Sequence, residues 1–179
     1  AEKLAIAWIE TRTEKEMELY NTLVSVTHDI IDEAFSEKVI KPGVTTTDDV
    51  VWFLRQKVTD MGLETWFHPT VDVQRSEEAL KSHIESFSKA KEKTIILPGD
   101  LLHCDFGISY ITLNTDCQQH AYVLKEGESE VPQYLQEAFE KGNRLQDILT
   151  SNFEEGKTGN EILLASLQQA KSEGLQPSI

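Results

Sequence analysis

The sequence is poor in positive charge. Its 179 residues carry 17 Lys and Arg against 31 Asp and Glu, a formal charge of −14. That deficit argues against a nucleic-acid partner, which demands cations to displace condensed counterions. It argues equally against docking on an anionic membrane surface. Long apolar runs are also lacking: none approaches the ~20 residues of a membrane span. Two cysteines are too few for a disulfide-dense secreted scaffold. The opening residues AEKLAIAWIE have neither the basic start nor the small-residue cleavage site of a secretory leader, which leaves the cytoplasm as the default compartment. There is no low-complexity tract and no Pro- or Ser-rich linker. What is present, 39% hydrophobic and 27% charged residues, suits a soluble globular domain rather than a disordered chain.

Helical periodicity runs from about Thr13 to Phe35, where Met17, Tyr20, Leu23, Val24, Ile30, Ile31, Ala34 and Phe35 recur at helical spacing. Thr13-Glu14-Lys15-Glu16 is a capping-box pattern at its start. Pro42-Gly43 breaks the chain. A second helix is expected from about Thr47 to Met61, stopped by Gly62. Strand-like residues follow from Thr65 to Val73, then a polar stretch in which Glu77 to Ala90 could be helical. Thr94 to Leu97 reads as a short strand before the turn Pro98-Gly99-Asp100, and Leu101 to Gly107 and Thr115 to Leu124 read as two more. Pro132 opens a third helix and Thr158-Gly159-Asn160-Glu161 caps a fourth, ended by Gly174.

The two helix pairs share a grammar: a Gly turn, a Thr-led cap, a helix and a Gly-Leu stop. Gly156 lies 113 residues after Gly43, and Gly174 lies 112 after Gly62. Any two capped helices share part of this, but a matched offset at two landmarks points to an internal duplication. Residues 1–12 then form a lead-in or connector, and 13–179 a partial domain. The first repeat spans about 13–124, and the helices of the second about 131–174. The second copy would stop before its sheet. Helices without a sheet leave apolar faces uncovered, so the chain is expected to be part of a longer protein.

The strongest chemical signal is Leu101-Leu102-His103-Cys104-Asp105-Phe106-Gly107 followed by Asn114-Thr115-Asp116. Strand side chains alternate, so His103 and Asp105 share one face, as do Asp116, Gln118 and His120. A carboxylate inside an apolar strand is costly to bury unless it is paired or bound to metal. Two of them eleven positions apart suit facing arms of a hairpin, where they repel unless a cation lies between them. Taken singly, Asp-Phe-Gly also fits a strand-end turn and Thr-Asp a loop cap. With Asp105 opposite Asp116, Cys104 would oppose Cys117 and His103 would oppose Gln118, the two cysteines coming within disulfide reach. A mononuclear site from His103, Asp105, Asp116 and His120 is an alternative. It is disfavoured because His120 lies about 13 Å beyond Asp116 along a strand.

GDLLHCDFG, the later Thr115-Asp116 and the KPGVTT segment before a helix resemble the pita-bread metallopeptidases: methionine and Xaa-Pro aminopeptidases and the creatinase-like group. The resemblance covers about Glu14 to Ile179 and implies an α+β fold. An antiparallel sheet would carry the Asp strands, with helices packed on one face and the domain cut after the second helix pair. It implies that Asp105 and Asp116 are two of five protein ligands to two divalent ions (manganese, cobalt or zinc), the other ligands being one His and two Glu that lie after the fourth helix in that family. It implies a peptide substrate, with room for a homodimer. His83 in Lys81-Ser82-His83-Ile84 would be the substrate-binding His, with His68 in Trp66-Phe67-His68-Pro69 as the alternative, although both also read as ordinary surface histidines. GDLL and DFG look closer to the Xaa-Pro branch, so the parent activity would be hydrolysis of an N-terminal peptide bond, with this piece alone inactive. The alternative is a non-catalytic pita-bread module that binds peptide or protein. Two departures leave subfamily and substrate open. The connection Ile108 to Leu113 lacks Gly. Cys117-Gln118-Gln119 stands where many relatives carry a hydroxyl and a basic residue.

Overall fold

The computed structural model describes residues 2–75 and 94–177. It divides into two compact units, Ala1–Gly127 and Glu128–Ile179. The first contains helices α1 (Glu2–Glu10), α2 (Glu14–Ala34) and α3 (Thr47–Asp60). It also contains strands β1 (Glu64–Thr65), β2 (Thr70–Gln74), β3 (Leu101–Phe106), β4 (Ile108–Tyr110), β5 (Leu113–Asn114) and β6 (Cys117–Tyr122). The second contains α4 (Gln133–Ser151) and α5 (Gly159–Ser172). Residues 2–10 are helical because the segment is rich in Ala, Leu and Glu. The stretch read as a possible helix at Glu77 to Ala90 lies outside the described residues.

Local chemistry accounts for the helices. Thr13 and Glu16 close a reciprocal capping box at the start of α2, as do Thr46 and Asp49 on α3 and Thr158 and Glu161 on α5. Leu23, Thr27, Ile30, Ile31 and Ala34 form the buried stripe of α2; Val50, Leu54 and Val58 form that of α3. Both helices pack on one face of the antiparallel sheet β2-β3-β6. That face supplies Val71, Val73, Leu102, Cys104, Phe106 and Cys117 to the core. The opposite face of the sheet is polar and at least partly open: β2 alternates exposed and buried residues, and β3 alternates half-buried and buried ones.

Two buried polar features set the sheet's geometry. Asp100 is 2% exposed. Arg75 grips it with two bonds, Nε to Oδ1 at 2.7 Å and Nη2 to Oδ2 at 3.1 Å, and the Leu97 amide donates to Oδ2 at 2.7 Å. The end of β2 is thereby tied to the turn that launches β3. The PGVTT segment is held from the other side. The Gly43 amide donates to the Ile96 carbonyl at 2.7 Å and the Ile96 amide to the Thr45 carbonyl at 2.9 Å. The expected strand at Thr94 to Leu97 is reduced to a single bridge, Thr46 to Ile95.

The Asp hairpin differs from expectation in register. Asp105 opposes Gln118, Cys104 opposes Gln119, His103 opposes His120 and Phe106 opposes Cys117. The pairing is displaced by two residues because the hairpin turns at Ile111-Thr112, with Tyr110 opposite Leu113. Cys104 and Cys117 still share the buried face, as free thiols and not as direct partners. The hairpin also changes sheet: β4 and β5 belong to the sheet β1-β4-β5, while β3 and β6 belong to the sheet β2-β3-β6. The change occurs at Gly107, where an added Cβ would lie 2.0 Å from the Thr115 carbonyl oxygen and 2.9 Å from Phe67. Only glycine allows the strands this close.

Candidate metal centre

Asp105 and Asp116 come together through that bend. Asp105 lies near the end of β3 with its side chain on the polar face, and Asp116 immediately precedes β6. Because Asp105 opposes Gln118, Asp116 is its diagonal neighbour on the same face, within reach for side chains. Thr115, next to Asp116 in the chain, is fully buried. Its hydroxyl accepts from the Ile108 amide at 3.0 Å and shares a 2.8 Å hydrogen bond with the Thr27 hydroxyl of α2. Alternation then turns Asp116 outward, where it is exposed.

The two carboxylates disfavour each other's charge. Burial, then the negative charge of Asp116, hold the Asp105 carboxyl above the ordinary carboxylate range. His103 opposes the shift, while the close approach of the Asp116 carboxyl and the charge of Asp72 add to it. Asp105 Oδ1 is buried and has no hydrogen-bond partner among the described residues. An orphaned anionic oxygen beside a second carboxylate fits a divalent cation. Behind the pair, burial and neighbouring charge push the Cys104 thiol up to about 12. It is therefore inert at neutral pH and is no rival ligand.

The other candidates are more scattered. His68 is exposed on the segment between β1 and β2. Its neighbours Trp66 and Phe67 make an edge-on ring contact, and the Trp66 amide donates to the Gly107 carbonyl at 3.0 Å. His83 lies outside the described residues. His103 and His120 face each other on the polar face, with ring centres 4.9 Å apart. The four-residue site of His103, Asp105, Asp116 and His120 is not assembled. Among the described residues no group of three or more His, Cys, Asp and Glu is gathered to hold an ion. Sequence reasoning missed Asp72, which opposes His103 from β2. The alternation Thr70, Asp72, Gln74 on the exposed side of β2 was the signal for it.

The sheet with helices on one face and the carboxylate pair on the other is an α+β fold of pita-bread architecture. The chain belongs to metallopeptidase family M24, whose model matches residues 18–178. Among solved structures it is similar to an X-Pro aminopeptidase from Thermotoga maritima MSB8, with a TM-score of 0.73 and 15% identity, over 97% of this chain and 46% of that one. It is also similar to a recombinant prolidase from Thermococcus sibiricus, with a TM-score of 0.62 and 14% identity, over 92% of this chain and 41% of that one. The chain thus spans less than half the length of either. No curated protein matches it significantly. No helix among the described residues is long and apolar enough to cross a membrane.

Proposed function

We propose that the whole protein is an Xaa-Pro-type aminopeptidase and that this chain supplies two of its metal ligands, Asp105 and Asp116. The observation that carries this is the hairpin itself. It holds two carboxylates close together and leaves Asp105 Oδ1 buried without a donor among the described residues. Family membership and the names of the two solved relatives support the reading. Manganese, cobalt and zinc all suit a carboxylate-rich site. When bound, such ions activate a water molecule and polarise the scissile carbonyl. The chain's own contribution is positional. Gly107, Thr115 and Thr27 fix the bend, and the bend sets the spacing of the carboxylates. His83 is proposed as the substrate-binding histidine, with His68 as the alternative.

The test compares two lengths. The 179-residue chain is expected to bind manganese weakly or not at all and to show no peptide hydrolysis, because two carboxylates are too few ligands for a two-ion site. A chain extended by the residues that follow Ile179 in the parent is expected to bind two ions and cleave Xaa-Pro peptides. In it, Asp105→Ala or Asp116→Ala should abolish both. A folded, inactive and metal-free long chain would sink the enzymatic reading in favour of a peptide-binding module.

A further inference from the structure

The polar face of the sheet carries a second set of ligand-type groups that the carboxylate centre does not use. His103 on β3 and His120 on β6 are direct cross-strand partners. Their ring centres are 4.9 Å apart and their planes are inclined at 48°. We propose that this pair is a two-imidazole chelate for a borderline transition-metal ion of the nickel, copper and zinc class, distinct from the Asp105–Asp116 centre.

Distance supports it. Metal–imidazole bonds are about 2.0–2.1 Å, and the ring centre lies about 1.1 Å beyond the nitrogen. Two imidazoles at roughly 90–110° on one ion therefore have centres about 4.5–5.2 Å apart. The observed separation falls within that range without movement of either strand. Position supports it as well: both residues sit on sheet strands, which hold ligands more firmly than loops do. Gln118 Oε1 lies 3.1 Å from His103 Nε2 and orients that ring. Asp72 opposes His103 from the third strand, placing negative charge beside a bound cation. With no third protein ligand among the described residues, water would complete the coordination. Imidazole nitrogen favours nickel, copper and zinc, whereas manganese favours oxygen. Nickel and manganese therefore tell the two sites apart, and this one stands whether or not the aminopeptidase reading does.

The experiment is calorimetric titration of the 179-residue chain with Ni²⁺ alone at about pH 7.5, where unperturbed imidazole is mostly neutral. One ion per chain is expected. Its affinity should fall in His103→Gln and in His120→Gln by at least the roughly tenfold typical of lost outer-shell partners, and by less in Asp105→Asn, which removes a nearby charge but no imidazole. Circular dichroism checks that each variant is folded. In the unmodified chain, Ni²⁺ should broaden the ring proton signals of His103 and His120 before those of His28, His68 and His83. Unchanged affinity in either histidine variant, an equal loss in Asp105→Asn, or earlier broadening of another histidine would overturn the proposal.

Discussion

At the scale of single residues, Asp105 is an anion held where an anion is unwelcome. Its carboxyl binds a proton more tightly in the folded chain than in the unfolded one, because burial and Asp116 disfavour its charge. Protonation therefore favours folding, and this contribution is lost as pH rises through the raised folded value. Asp105→Asn removes the charge, so the variant's advantage in melting temperature over the metal-free parent should grow between about pH 4 and pH 7. Thermal melts of both chains across that range check it. A constant difference would show that Asp105 ionises as freely folded as unfolded. Thr115 is the opposite case, a buried polar group with its partners satisfied. Thr115→Val keeps the shape but orphans the Ile108 amide, while the Thr27 hydroxyl keeps its bond to the Leu23 carbonyl. The expected loss is about 1–3 kcal/mol in denaturant unfolding.

At the scale of elements, the Asp hairpin depends on two unusual backbone sites and one ion pair. Ile111 has φ +56° and is the only non-glycine among the described residues at positive φ. A β-branched side chain there is strained by roughly 1–2 kcal/mol. Ile111→Asn is expected to stabilise the chain by about 1 kcal/mol, read as a rise in the denaturation midpoint, because Asn tolerates that conformation. Gly107→Ala should do the reverse: its methyl would collide with the Thr115 carbonyl, and overpacking of this kind costs about 1–3 kcal/mol. The Arg75–Asp100 pair fixes where β3 begins. Asp100 has a side-chain exposure of 3% against 33% for Arg75. Arg75→Ala would strand a buried carboxylate and is expected to cost about 3 kcal/mol in the same unfolding assay.

At the scale of the molecule, the two units differ in how much they bury. The first has a core running from Leu23 to Cys117. Among the described residues of the second only Ile148, Ile162, Ser166 and Ala170 are buried, while Tyr134, Phe139, Phe153 and Leu164 are more than half exposed. Amides of α4 and α5 are therefore expected to exchange with solvent faster than those of β3 and α3 in the 179-residue chain, measured by hydrogen–deuterium exchange. We also propose that the helix pairs α2–α3 and α4–α5 are copies of one ancestral unit. Their turns match locally, with Gly43 at φ +82° and Gly156 at +89°, and Gly62 at +69° and Gly174 at +76°. An experimental structure in which the two pairs cross at clearly different angles would remove that reading.

Much of the architecture is written locally in the chain. The capping boxes at Thr13 and Thr158 and the buried stripe of α2 follow from spacing alone, because helix contacts lie three or four residues apart. The sharing of one face by His103 and Asp105 follows from strand alternation. The register of the Asp hairpin does not follow. It depends on which two residues make the turn, and a glycine-free connection gave no marker for Ile111-Thr112. A shift of two residues leaves every side chain on its expected face while changing every partner, so alternation cannot detect it. Tertiary structure alone decided that Asp105 meets Asp116 on a diagonal, that Arg75 closes on Asp100 from 25 residues away, and that His103 faces His120. Each of these joins positions distant in sequence, whose approach is set by the bend at Gly107 and by the helices packed behind the sheet.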